Sequence, residues 1–342
     1  SLVSWYARQE ERVIFMQVKE QVKEALAQRP GQYFSGSKLA QQLNVSRNAV
    51  WKAIQALQKE GIAISSHPRF GYRLSEQADL ITREAVQSQL TTRELGQNLL
   101  VLDRVDSTNT MVKQLAREGS GHGVTVIADQ QTGGRGQNGR AFFSPAGTGL
   151  YMTVLLRLPI AVSAAQRLTI CAAVATARAI DHLYGTHVQI KWVNDLYLNG
   201  KKICGILTEG SLSCEMGCLD YAVLGIGVNV RQTQQQFPEE LLPIVTSVEE
   251  VCGKVVPRSQ LAAEILNQLE PLLPNPTAEE VLEEYRERSF LTGRKVSILQ
   301  GGQARTAQVL GIDRKGRLVV QEEDGSRQAL VSADRVLPLA KG

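Results

Sequence analysis

Apolar positions in the first seventy-five residues repeat with a helical period. Val18, Val22, Ala25 and Leu26 share one face over residues 16–29, and Pro30-Gly31 breaks that helix. Residues 37–43 (SKLAQQL) predict a second, short helix with Leu39, Ala40 and Leu43 inward, and Asn44-Val45 a tight turn. Ser46 is placed to cap a third helix reaching Glu60 and ended by Gly61, with Ala49, Val50, Ala53, Ile54 and Leu57 as its buried stripe. Residues 62–64, a turn at 67–71 and residues 72–74 complete a short hairpin. Helix, helix, turn, helix and wing predict a winged helix-turn-helix over residues 16–75.

Beyond it the period changes. Residues 76–98 read as a linker holding one helix at 82–89, capped by Thr82. Strands are expected at 99–102, 124–128, 149–156, 188–190, 201–207 and 220–230, and helices at 111–118, 164–183, 258–272 and 278–288. Asn199-Gly200 between apolar runs is a hairpin signal. The strand at 220–230 is glycine-spaced, which lets something lie against its backbone. From residue 294 short strands at 295–299, 304–311, 317–320 and 328–331 alternate with Gly301-Gly302, Lys315-Gly316 and Asp324-Gly325, a β-barrel of SH3-like size. The fold class is α/β multidomain, with a winged helix at 16–75, a linker at 76–98, an α/β domain at 99–290 and the barrel at 291–342.

Composition narrows the function. In a chain of 342 residues, 43% hydrophobic, no apolar run approaches the roughly 20 residues of a membrane span. The N-terminal stretch shows no secretory pattern, so a cytoplasmic protein with no membrane partner is expected; Met16 is a plausible natural start. Five cysteines, an odd number, predict reduced thiols, and the Cys214–Cys218 spacing has no neighbouring Cys or His pair to complete a zinc site. No structural metal is expected. Charge is uneven: five Lys and four Arg against three Glu give residues 16–75 a net +6, and the remainder about −2. The basic end is the expected nucleic-acid face. In a winged helix the third helix enters the major groove, which places Arg47 and Asn48 against bases and Lys38, Lys52 and Arg69 against phosphates, with Ser46 and Gln55 beside them. The competing reading is a solvated polar face on a protein-binding module, and Trp51 is open between partial burial and a groove wall.

One loop, residues 129–145, carries candidate chemistry. Gly133-Gly134-Arg135-Gly136-Gln137-Asn138-Gly139-Arg140 sets two guanidinium forks among four glycines, suited to closing over a small anion, and the competing reading is a long, open, solvent-exposed turn. It lacks the Gly-Lys-Ser/Thr of a P-loop.

That loop is one of an ordered set of short motifs. Asp106-Ser107-Thr108-Asn109, Gly134-Arg135-Gly136, Lys191-Trp192-Val193-Asn194-Asp195, Lys202-Ile203-Cys204-Gly205-Ile206-Leu207 and Gly225-Ile226-Gly227-Val228-Asn229 follow the winged helix in turn. The set resembles the bifunctional biotin–protein ligase and biotin-operon repressor family over about residue 18 to the C-terminus. The resemblance implies a class II synthetase-like mixed sheet in the central domain and, as cofactors and substrates, biotin, ATP and Mg²⁺. Biotinyl-5′-AMP would form, biotin would pass to a lysine of a biotin carboxyl carrier protein domain, and the adenylate-bound homodimer would bind operator DNA. It also implies a site: Ser107, Thr108, Gln131, Gly134, Arg135, Lys202, Gly205, Gly225 and Gly227 for biotin. Arg140, Phe142, Asn229 and Lys191 would serve the adenylate, with Arg135, Lys202 and Asp195 catalytic. Two positions depart from the family pattern. Gln137 stands where Arg is common, so either Arg140 compensates or the adenylate is held less tightly; Val193 stands where some relatives have Pro. Two other readings follow from the same residues, a biotin-responsive repressor without effective ligase activity and a lipoate- or octanoate-transferring relative.

Overall fold

A computed structural model describes residues 2–212 and 217–339, with side chains from Val13 onward. Cys214, and with it the Cys214–Cys218 spacing, lies outside the described residues. The chain forms two compact units, Ser1–Ala85 and Val86–Gly342.

In the first unit α1 (Leu2–Ala27), α2 (Gly36–Leu43) and α3 (Arg47–Lys59) precede a hairpin of β1 (Ile64–His67) and β2 (Gly71–Leu74). The stripes read from the sequence meet in one core, where Val22, Leu26, Leu39, Val50, Ile54 and Leu57 are fully buried. The Ser46 hydroxyl accepts from the Ala49 N–H at 3.0 Å and caps α3. Ser35, which sequence reasoning passed over, caps α2 by accepting from Lys38 N–H at 3.0 Å. Helix α1 starts well before Met16 and ends at Ala27, two residues short of the expected end, so residues 16–27 are the C-terminal part of a longer helix. A short α4 (Arg83–Gln87) follows Thr82, whose hydroxyl accepts from Ala85 N–H.

The second unit is built on a seven-stranded mixed sheet. Its first half is β3 (Leu99–Val105), α5 (Thr108–Arg117), β4 (Thr125–Gln131), β5 (Gly149–Leu156) and α6 (Gln166–Tyr184). There follow β6 (Gln189–Lys191), β7 (Asp195–Leu198), β8 (Lys201–Leu212) and β9 (Leu219–Asn229), in spatial order β3-β4-β5-β9-β8-β7-β6. Among the described strands of this sheet only β3 and β4 run parallel, joined by α5, since a parallel pair needs a crossover. Asn199 and Gly200, at φ 49° and 76°, make the tight β7–β8 turn that their dipeptide predicts. Helix α5 lays Val112 and Ala116 on Val126, Leu155 and Val223. Helix α6 packs on β8 and against α8 (Arg258–Leu269) and α9 (Glu279–Glu287), which follow the short α7 (Val248–Cys252).

The C-terminal strands are β10 (Lys295–Gln300), β11 (Gln303–Ile312), β12 (Leu318–Glu322), β13 (Arg327–Leu330) and β14 (Arg335–Pro338), ordered β13-β12-β11-β10-β14. The sequence pattern shows four of these five. Strand β14 was missed because only Val336 of its four residues is buried, and four residues give too short an alternation to read. This small β-domain is fastened to the sheet by a buried bond: the Trp192 indole N–H donates to Gly316 O at 3.0 Å. Tyr285 Oη donates to Val193 O at 2.8 Å beside it.

Candidate active site

Strand register brings the motifs to one end of the large sheet. Gly149 faces Asn229 across β5–β9, Cys204 faces Val228 across β8–β9, Gly205 faces Asp195 across β7–β8, and Asp195 faces Lys191 across β6–β7. Gln131 closes β4 at the same end, where its N–H donates to Ser144 O at 3.1 Å. A cavity of about 540 Å³ opens there. Of the residues the resemblance assigns to the site, all but Gly134 line it. Gly134 sits behind the wall, accepting from Phe142 N–H at 2.9 Å as the glycine-arginine segment folds back on itself. That segment is a tight hairpin rather than an open turn, with Arg135 bridged to Ala141 and a single turn of 3-10 helix at Gln137–Gly139.

One end of the cavity is neutral and hydrogen-bonded. Gln131 Oε1 accepts from the Thr108 backbone N–H at 2.9 Å and faces its hydroxyl at 3.1 Å, while Gln131 Nε2 donates to Ser144 Oγ at 3.1 Å. Beneath them the buried Thr153 hydroxyl lies 2.7 Å from both Thr108 Oγ1 and Asn109 Oδ1. Ser107 caps α5, so its backbone position is fixed by the helix start. Asn109 Nδ2 donates to Glu209 Oε2 at 2.9 Å, and Glu209 also takes Lys113 at 2.8 Å. Burial pushes the Glu209 carboxyl up, but the hydrogen bonds from Lys113 and Asn109 outweigh it and leave the group below its ordinary range.

The other end is cationic. Arg140, Lys191, Lys202 and Arg335 line it with one carboxylate, Asp195, while Arg135 lines the cavity nearer Glu209. Asp195 pairs with Lys202 at 2.8 Å, which fixes the ammonium near the Phe142 ring, 5.9 Å from its centroid. Burial depresses the Lys191 ammonium below the ordinary lysine range; Asp195 opposes this, and Lys202, Arg140 and Arg335 add to it. The glycines of β9 make the surface these groups rest on. A Cβ on Gly227 would stand 2.7 Å from the Phe142 ring, and one on Gly225 would stand 2.2 Å from Asn109 Oδ1. What lies against the glycine-spaced strand is therefore the site's own aromatic ring and amide.

Several contributors escaped the sequence reading. Asn109 reads from the sequence as one of three candidate helix caps, whereas Ser107 is the cap and Asn109 bonds to Glu209; Thr153 reads as an ordinary buried strand residue. Arg258 is 1% exposed and donates to Asp129 Oδ1 and Gly149 O, both at 2.8 Å, tying α8 to the β4 and β5 ends. Arg335 and Leu337 come from the missed strand β14. Phe237 and Ile244 lie on the segment after β9, where no periodic signal exists.

On the first unit, Lys38, Arg47, Asn48, Lys52, Gln55 and Arg69 are all exposed. Ser46 is exposed as well, with its hydroxyl engaged in the cap. Trp51 is 50% exposed on α3 and Phe70 51% exposed at the wing turn. Among the described residues no three His, Cys, Asp or Glu side chains form a metal-binding group, and no helix is long and apolar enough to cross a membrane.

A winged helix, a mixed sheet with a bipolar cavity at one end, and a small β-domain fastened beside that cavity define a DNA-binding ligase architecture. The model of the Biotin/lipoate A/B protein ligase family matches residues 101–229, an HTH domain model matches 18–73, and the Biotin protein ligase C terminal domain matches 292–335. The chain is 33% identical to the bifunctional ligase/repressor BirA of Bacillus spizizenii over 322 residues, covering 93% of this chain and 98% of that one. It is 30% identical to BirA of Escherichia coli, covering 86% and 90%. The biotin protein ligase of Aquifex aeolicus, solved with biotin and ATP, aligns over 71% of this chain and 100% of its own with a TM-score of 0.59 and 27% identity. The chain belongs to the bifunctional biotin–protein ligase and repressor family.

Proposed function

We propose that this protein joins biotin to ATP as biotinyl-5′-AMP and transfers the biotin to a lysine of a biotin carboxyl carrier protein domain. With the adenylate bound it would act, as a homodimer, as a repressor at operator DNA. The observation that carries the reading is the bipolar cavity: neutral donors and acceptors beside Arg135 at one end, and four cations with one carboxylate at the other. The neutral end suits an uncharged ureido group, which needs both donors and acceptors, and Gln131, Thr108 and Ser107 offer both. The cationic end suits the carboxylate and the triphosphate.

In the first step a biotin carboxylate oxygen attacks the α-phosphorus, the bond to the bridging oxygen breaks, and pyrophosphate leaves. Negative charge shifts onto phosphate oxygens, and cations already fixed in place stabilise it without reorganisation. Lys202, oriented by Asp195, and Arg135 are the groups assigned to that task. In the second step the carrier lysine amine attacks the acyl carbon and AMP departs with the bonding pair. Phe142, resting on Gly227, offers its ring to the adenine, with Arg140 and Asn229 on the same side. The residues do not support a resident Mg²⁺ site: Asp195 is the one carboxylate on the cavity wall and Lys202 engages it. Mg²⁺ enters as part of the nucleotide substrate.

The test is ATP-dependent attachment of labelled biotin to a purified carrier domain. Transfer by the wild type that is lost in Lys202→Ala supports the reading. Attachment of lipoate in place of biotin would reassign the substrate, and biotin-dependent DNA binding without any transfer would leave a repressor alone.

A further inference from the structure

We propose that Arg335, on the last strand of the C-terminal β-domain, is a binding residue for the triphosphate chain of the nucleotide. The site on the large sheet is then completed by a second domain. The proposal rests on the nucleotide reading given above.

Period-two alternation along β14 sends Val336 into the core of the β-domain, where it is 6% exposed, and leaves Arg335 and Leu337 together on the opposite face. Both line the cavity, so this face of β14 is a wall of the site. The strand is held there from two directions. Across β10 its register pairs Arg335 with Leu299. At its start Asp334 N–H donates to Leu299 O at 2.9 Å, and its carboxylate accepts from Gly301 N–H at 2.8 Å. Asp334 O in turn accepts from the Arg140 guanidinium, bolting the glycine-arginine hairpin to β14.

That bolt divides the labour between the two arginines. Arg140 spends donors on a carbonyl of the β-domain. Arg335 makes no ion pair among the described residues, and it shares the cavity wall with the half-buried Lys191, whose protonated form its charge disfavours. A guanidinium left unpaired next to another cation on a cavity wall is costly unless an anion arrives between them. The one carboxylate near by, Asp195, is already taken by Lys202. Gln137, on the hairpin facing the same cavity, is neutral and cannot supply the charge. A polyanion is what this arrangement lacks, and a triphosphate is the polyanion of the proposed reaction.

The experiment measures ATP and biotin binding separately on the full chain, by calorimetry, beside KM values from pyrophosphate exchange. The proteins are the wild type, Arg335→Ala and Arg335→Lys. Loss of a charge-assisted contact predicts ATP binding weakened about ten- to hundredfold in Arg335→Ala. Biotin affinity is expected within twofold of wild type, and Arg335→Lys should recover part of the loss, since it keeps the charge but not the fork. Unchanged ATP affinity in Arg335→Ala overturns the proposal. So does an equal loss for ATP and biotin, which would mark a structural role. A wild type that binds ATP but forms no adenylate would sink the ligase reading alone, because the binding comparison still decides Arg335. A wild type that binds no ATP would sink both.

Discussion

Lys191 and Lys202 are two lysines of one cavity with opposite electrostatic fortunes. Lys202 has Asp195 at 2.8 Å, whereas Lys191 is desolvated and flanked by cations. Removing Lys202 should therefore cost catalysis: Lys202→Ala is expected to lower the rate of adenylate formation about 10²- to 10³-fold, read by pyrophosphate exchange. Lys191 predicts something different. Its folded-state pKa lies below the unfolded value, so the unfolded chain binds more protons in the window between them, and stability rises with pH there. Below the depressed pKa the cost is fully present. Lys191→Met should therefore unfold at a higher temperature than wild type near neutral pH, with the difference shrinking as pH rises towards the ordinary lysine range. A variant that melts lower at every pH would show that the side chain's packing outweighs its charge.

At the scale of elements, the sheet end is built by short-range approaches that only particular residues allow. Gly227→Ala should push the Phe142 ring off β9 and weaken nucleotide binding more than biotin binding, measured by separate titrations of the two. Arg258 holds α8 to the ends of β4 and β5 from a fully buried position. Arg258→Met leaves Asp129 with only the Gly147 N–H and takes the guanidinium donor from the Gly149 carbonyl, a loss of about 3 kcal/mol measurable by denaturant unfolding. These two cases also mark what a sequence can show. The glycine spacing of β9 announces that something approaches the strand, and the ordered motifs name most of the cavity wall. Arg258 looks like the start of one more amphipathic helix, because its partners lie over a hundred positions away. Strand β14 fails for a related reason: four residues with one buried valine carry no period. Elements that repeat a pattern or sit between clear turn signals were legible, whereas long-range polar ties and the last strand were not.

At the scale of the molecule, recognition of DNA and the chemistry of the cavity lie in separate compact units. Substitutions on one should leave the other's reaction intact. Arg47→Ala is expected to weaken operator binding by about 1–3 kcal/mol with unchanged biotin transfer. Lys52→Ala should instead reduce the salt dependence of binding by about one ion, because a phosphate contact releases one counterion. Both are measured by fluorescence titration of duplex DNA over a range of salt, with the transfer assay run in parallel. Loss of transfer in either variant would show that the two units depend on each other for more than regulation.

The sequence holds three tryptophans, Trp5, Trp51 and Trp192. Trp51 stands half in water on α3, and Trp192 is 7% exposed with its indole bonded to Gly316. An indole in water emits further to the red than one in an apolar interior, so these two side chains should differ in colour. In a Trp5→Phe variant the blue component would follow the seating of the β-domain beside the cavity, and the red component would follow the approach of DNA. One emission spectrum, recorded during a titration of nucleotide and then of operator, would time both events in the same cuvette without a dye.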